Sequence, residues 1–270
     1  MAALVDERLR GAPFEPLEPT AVFDLLPRHP DGRGRGRTTR LETPAGPLLL
    51  RGVVRGGLLA PLLGDAIPGP GRPLREVRVT ATLAAAGAPV VRPALALALR
   101  RFGPVWRGLV ATWLEEGVRD GIDFLTGSPP PALRTAVCAA AGRAVRRFHD
   151  AGGVHADLHL GNLLVRATGQ TPEVILCDLD RARMARAVPT RRRSRELARL
   201  YRSLLRRGLQ DRLSDADLEA FAQAYIAGDS ALARALARNR RARALGVAFH
   251  ALRYRGPPDA GRPPSRPSGP

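Results

Sequence analysis

Apolar residues at Leu133, Val137, Ala140, Ala144, Val145 and Phe148 fall on one face at the 3.6-residue helical period. A buried helix is therefore predicted after the run Pro129-Pro130-Pro131, ending at Gly152-Gly153, residues suited to a helix C-terminus. The front of the chain has a different texture. Short β-like runs at residues 38–42 and 48–54 flank the turn signal Pro44-Ala45-Gly46 and predict a hairpin. Residues 74–86 carry charged and apolar positions at helical spacing until Gly87 and Pro89 stop them. Two more strands are predicted at residues 95–99 and 106–114.

Past the central helix, an apolar strand at residues 174–177 leads into Asp178-Leu179-Asp180, and amphipathic helices are predicted at residues 196–205 and 218–225. The capping pattern Ser214-x-x-Asp217 opens the second of these. The Pro/Gly/Ser-rich tail from Gly256 is expected to be disordered. The order of elements predicts an α+β chain: a β-rich lobe over residues 1–111, a helical lobe over 112–255 and a tail over 256–270.

Composition changes the picture in one respect. The formal charge is +18, and all 43 basic residues are arginine because the chain has no lysine. Part of that excess reflects a bias toward Arg, Ala, Gly and Pro, yet arginine still favours anionic partners because its charge is permanent and it grips phosphate bidentately. Aromatics are only 4% of residues, and their sparse interleaving with basic ones argues against nucleic acid as the partner. Two cysteines, Cys138 and Cys177, are too few for a disulfide framework and point to a reducing compartment. No run approaches the ~20 apolar residues of a spanning helix, and no secretory signal follows Asp6, Glu7 and Arg8, so any membrane contact is expected to be peripheral.

The chemistry gathers after the central helix. Asp157 and Asn162 stand five residues apart in a loop, and Asp178 follows a short apolar strand. Phosphoryl transfer from ATP requires a carboxylate to orient the attacking hydroxyl and oxygen ligands for the metal that holds the phosphates. Asp157 is assigned as base, and Asn162 and Asp178 as metal ligands.

The sequence His155-Ala-Asp157-Leu-His159-Leu-Gly161-Asn162 resembles the catalytic loop shared by aminoglycoside and choline phosphotransferases and by the lipopolysaccharide core kinases. A protein-directed kinase usually has Lys where this chain has His159, which makes His159 a catalytic-loop candidate and tilts the acceptor toward a sugar or other small hydroxyl. Residues 50–58 and Arg75-Glu76 are similar to the 3-deoxy-D-manno-octulosonic acid (Kdo) kinase branch, as are Gly36-Arg37-Thr38-Thr39 and residues 196–204. With no lysine to contact the α- and β-phosphates, Arg51 is the substitute, paired with Glu76; Arg55 is the alternative. Gly34 and Gly36 lie where a phosphate-covering loop belongs. Asp180 either assists a metal indirectly or caps the next turn.

The resemblance implies a two-lobe protein-kinase-like fold with ATP in the cleft, Mg²⁺ as cofactor and a Kdo or heptose hydroxyl on the lipid A-linked inner core as acceptor. It further implies work at the cytoplasmic face of the inner membrane, where clusters such as Arg191-Arg192-Arg193 would meet anionic lipid. No obligate protein partner is inferred. The competing readings are a soluble aminoglycoside- or choline-type phosphotransferase, which calls for an acidic acceptor pocket, and a pseudokinase binding module.

Overall fold

The computed structural model describes residues 2–6, 9, 19–24, 38–53, 66–168 and 171–238. The expected glycine loop with Gly34 and Gly36, the alternative Arg55 and the tail from Gly256 lie outside them.

The first lobe is a six-stranded antiparallel sheet. Its elements are β1 (Ala2–Val5), β2 (Thr38–Leu41), β3 (Leu48–Val53), β4 (Ala66–Pro68), β5 (Pro93–Phe102) and β6 (Val105–Trp113), ordered β1-β5-β6-β3-β2 with β4 also on β6. Strand periodicity sorts its side chains onto two faces. Leu48, Leu50, Leu95, Leu97, Leu109 and Ala111 pack on one side with Val22 and Phe23 of α1 (Pro19–Asp24). Val53, Ala96 and Val110 pack on the other side with Val77 of α2 (Gly71–Ala85). The hairpin turn is closed by Gly46 N–H to the Thr43 carbonyl at 2.9 Å and Thr43 Oγ1 to the Gly46 carbonyl at 2.6 Å.

One boundary differs from expectation for an identifiable reason. Helix α2 starts at Gly71, three residues before the expected start, because Pro73 sits in the first turn, where a missing N–H costs no helical hydrogen bond. Strand β3 runs past Arg51 to Val53, so Arg51 is interior to it, opposite Thr38 on β2 and Val110 on β6.

The second lobe holds β7 (Val118–Asp120), α3 (Gly121–Thr126), α4 (Pro131–Asp150), β8 (Gly153–Val154), a 3₁₀ turn (Leu160–Asn162), β9 (Leu163–Arg166), β10 (Glu173–Leu176), β11 (Arg183–Met184), α5 (Thr190–Leu205), α6 (Asp215–Ile226) and α7 (Ser230–Arg238). Helix α4 is the periodic helix read from the sequence, with Pro131 at its start and Gly152 in the left-handed region just past its end, at φ +86°. Its buried face joins one core with Leu163, Val165, Val174, Leu176, Leu197 and Tyr225. At Gly142 a Cβ would lie 2.3 Å from the Phe221 carbonyl, so only glycine lets α4 and α6 approach this closely. The box at Ser214 and Asp217 caps α6 as expected. Among the described residues no helix is long and apolar enough to cross a membrane.

Candidate active site

Arg51, Glu76, Asp157, Asn162 and Asp178 sit where β3, α2, the loop after β8 and the end of β10 converge. The odd-numbered face of β3 looks toward α2, which sends Arg51 to Glu76, buried on that helix. Their side chains form an ion pair, and Arg51 Nη2 is also 3.7 Å from Asp178 Oδ1. Burial acts to lower the Arg51 pKa, but Glu76, Asp178 and Asp180 together hold it above its ordinary value. Desolvation pushes the Glu76 carboxyl upward against the opposing pull of Arg51, whose guanidinium no accessible pH neutralises.

Two hydrogen bonds tie the loop carrying Asp157 and Asn162 to Cys177, just before Asp178, and a third closes the loop on itself. Cys177 N–H donates to the Asn162 carbonyl at 3.0 Å, His155 Nε2 donates to the Cys177 carbonyl at 3.1 Å, and Asn162 Nδ2 donates to the Asp157 carbonyl at 3.0 Å. The last bond occupies the amide nitrogen of Asn162, leaving its Oδ1 as the atom able to meet a cation. Among the described residues no hydrogen bond or ion pair ties up the Asp157 carboxylate. Asp178 is half exposed and has φ +58°, in the left-handed region. Asp tolerates that region better than most residues, and such strain persists where the surroundings enforce it.

A hard-oxygen pair fits a divalent ion that completes its shell with phosphate oxygens and water. No group of three or more His, Cys, Asp or Glu suited to a metal occurs among the described residues. Among the described residues the His159 Nδ1 is buried without a hydrogen-bond partner, while the His159 carbonyl accepts from Asn162 N–H at 2.9 Å. Asp180 does not stand alone, since Arg72 Nη2 donates to its Oδ2 at 2.6 Å.

Sequence reading missed the buried support beneath this loop. Ala156, directly before Asp157, has φ +66°, a conformation costing roughly 1–3 kcal/mol for a non-glycine residue. Glu196 of α5 holds it there, accepting from Ala156 N–H at 2.6 Å and His155 N–H at 3.1 Å. His149 Nε2 donates to Glu196 at 3.1 Å, and Tyr225 Oη donates to His149 Nδ1 at 2.7 Å. Glu196 lies in a stretch that reads simply as amphipathic helix; an acid on the apolar face was the available signal.

Burial lowers the pKa of both His149 and His155, so both are neutral in the fold. Burial would raise Glu196, but hydrogen bonds from His149 and the two amides hold it below the usual carboxylate range. All three effects make acid destabilising. Below the unfolded histidine pKa, about 6.5, the unfolded chain takes up protons that the native state resists, and stability falls by at most about 1.4 kcal/mol per pH unit for each histidine. Thermal melting from pH 7.5 to 5.5 should show this fall, and His149→Gln should remove about half of the histidine-dependent slope. A melting temperature flat across that range contradicts the assignment.

The family model for the lipopolysaccharide kinase (Kdo/WaaP) family matches residues 28–225. A 3-deoxy-D-manno-octulosonic acid kinase of Xanthomonas campestris pv. campestris (strain B100) is 36% identical over 225 residues, covering 81% of this chain and 86% of the relative. Another of the same description, from Xylella fastidiosa (strain M12), is 35% identical over 200 residues, covering 71% and 76%. Among solved structures, WaaP in complex with acyl carrier protein is similar in fold, with a TM-score of 0.57 and 23% identity over 91% of this chain and 99% of that one. The two-lobe α+β architecture is thus kinase-like, and the chain belongs to the lipopolysaccharide kinase (Kdo/WaaP) family.

Proposed function

We propose that this chain transfers the γ-phosphoryl group of ATP to a sugar hydroxyl, Kdo or heptose, of the lipid A-linked inner core. The observation carrying the reading is the convergence of Asp157, Asn162 and Asp178, held together through the Cys177–Asn162 and His155–Cys177 hydrogen bonds. In the reaction the acceptor oxygen bonds to the γ-phosphorus, the bond to the β,γ-bridging oxygen breaks and ADP leaves. Asp157 orients the hydroxyl and accepts its proton. A divalent ion, Mg²⁺ in this reading, supplies charge neutralisation on the phosphates, and Asn162 Oδ1 and the Asp178 carboxylate would hold it. Arg51, braced by Glu76, provides the cation that lysine provides in most kinases. A permanent guanidinium in that place weakens the pseudokinase reading, and family membership does not favour an aminoglycoside- or choline-type activity.

Family membership supports the sugar acceptor, and charge supports the membrane assignment. Residues 181–195 contain seven arginines and no acid, and Arg181, Arg183, Arg186, Arg191, Arg192 and Arg195 are exposed. Arg193 is not available in the way the sequence implied: it turns onto Asp150 at 2.8 Å and the Val188 carbonyl at 3.1 Å. The exposed arginines border the catalytic loop, because β11 pairs with β8 and Ala185 N–H donates to the Gly152 carbonyl at 2.8 Å. Such a rim suits an anionic glycolipid in an anionic membrane surface. Purified protein with labelled ATP, Mg²⁺ and Kdo-lipid A in detergent should label the lipid, and the protein should sediment with anionic but not neutral vesicles. Label that never reaches the lipid overturns the acceptor assignment; equal sedimentation with both vesicle types overturns the membrane one.

A further inference from the structure

We infer that Arg72 and Asp180 form a strut between the lobes that positions Asp178, and that Asp180 is a positioning residue and not a metal ligand. The inference rests on the proposed function only in taking Asp178 as the metal-binding carboxylate.

The pair joins residues 108 apart in the chain, Arg72 in the first turn of α2 and Asp180 two residues beyond Asp178, with Arg72 Nη2 2.6 Å from Asp180 Oδ2. Both partners are partly buried, their side chains 31% and 15% exposed, which favours a persistent charge-assisted bond over a solvent-screened one. Arg72 and Glu76 are one helical turn apart and therefore share a face of α2. One turn thus grips the chain after β10 at Asp180 and grips Arg51, itself beside Asp178, through Glu76.

The opposite end of the same helix is also anchored to the second lobe. Leu83 lies in that lobe's core, and the Gly87 carbonyl accepts from Arg147 Nη2 at 2.7 Å. The connection that follows bonds directly to β10: Leu176 N–H donates to the Pro89 carbonyl at 2.8 Å, and Val91 N–H donates to the Leu176 carbonyl at 3.0 Å. Asp178 therefore sits midway between two fixed points, Leu176 and Asp180, held from opposite ends of one helix that is about 22 Å long. Its left-handed backbone, φ +58°, is what such bracing can enforce. Without the strut, residues 178–180 keep the Arg51 contact at Asp178, the bonds at Leu176 and Cys177, the Ala182 N–H bond to the Leu179 carbonyl and the buried Leu179 side chain, but lose the tie at Asp180 to the first turn of α2, and Asp178 is freer to relax toward an ordinary conformation.

The test compares Arg72→Gln, Asp180→Asn, the double variant Arg72→Gln/Asp180→Asn and the reversed pair Arg72→Asp/Asp180→Arg in the full chain. Steady-state phosphoryl transfer as a function of ATP and Mg²⁺ is measured, together with amide hydrogen exchange of residues 176–182 in the absence of nucleotide. Each single variant should lower kcat/KM about tenfold, with the double variant no worse than either single one and the reversed pair recovering part of the loss. The Mg²⁺ concentration for half-maximal rate should shift equally in Arg72→Gln and Asp180→Asn, and exchange over residues 176–182 should quicken in both. A tenfold greater Mg²⁺ requirement in Asp180→Asn than in Arg72→Gln would make Asp180 a ligand and overturn the inference. So would additive losses, or exchange unchanged from wild type. Because exchange needs no nucleotide, quickened exchange in both variants supports the strut even if the wild-type chain fails to phosphorylate the glycolipid, a result that would count against the proposed function alone.

Discussion

Asp157→Asn is expected to lower kcat by ~10²–10⁴-fold, the usual contribution of a positioned general base, with nucleotide affinity almost unchanged. The loop around this residue is fixed through main-chain groups: Asn162 Nδ2 donates to the Asp157 carbonyl, and Glu196 holds the amides of His155 and Ala156. None of these bonds uses the Asp157 carboxylate, so the amide variant should keep the loop and lose only the ability to take the acceptor's proton. Single-turnover phosphorylation of the glycolipid and calorimetric nucleotide binding measure the two quantities separately. Full turnover by the variant would remove Asp157 from the base role. Nucleotide binding lost in parallel with activity would make its role structural.

Asp178→Asn is expected to reduce metal-dependent kcat/KM by about 10²–10³-fold, the range seen when one electrostatic group aimed at developing charge is removed. Asparagine is the informative replacement because the position has φ +58°. Asn tolerates the left-handed region, whereas alanine would add backbone strain to the loss of the carboxylate and confuse stability with catalysis. The variant should melt close to the wild-type temperature. It should also loosen Arg51 slightly, since the 3.7 Å contact with Asp178 loses its charge, while the Arg51–Glu76 ion pair remains. Wild-type rates at ordinary Mg²⁺ concentrations would show that Asp178 does not bind the catalytic ion.

Both variants target residues visible in the sequence, because the loop proposed as catalytic is a local object. Asp157, Asn162 and the loop between them are consecutive chain, and the strand before Asp178 announces itself by four apolar residues. The central helix was equally legible, because a face of Leu, Val, Ala and Phe repeating every 3.6 residues has few alternatives to burial. Shorter elements were not. Strands β4, β7 and β11, with two or three residues each, and helices α1 and α3, with six each, carry too few positions for a period to emerge. They exist because neighbours supply what the segment lacks: Asp120 caps α3 by accepting from Ile122 and Asp123 N–H, both at 2.9 Å, and β4 is completed by β6. Helix α5 also begins six residues before its apolar spacing becomes readable, behind a run of arginines that hides the pattern.

By itself, then, the amino-acid sequence determined the α+β class, the buried central helix, the hairpin ahead of α2 and the identity of the loop that carries Asp157 and Asn162. Each depends on residues near one another in the chain, where periodicity and turn chemistry act directly. Tertiary structure alone decided which arginines are partnered and what supports the loop. Glu196 reaches back 40 residues to Ala156, Arg72 reaches forward 108 to Asp180, and Arg193 turns inward onto Asp150, away from the basic surface. In a chain with 43 arginines, local sequence cannot say which of them meets a given carboxylate, because an ion pair is selected by where packing of the two lobes brings the side chains and by how much water that packing excludes.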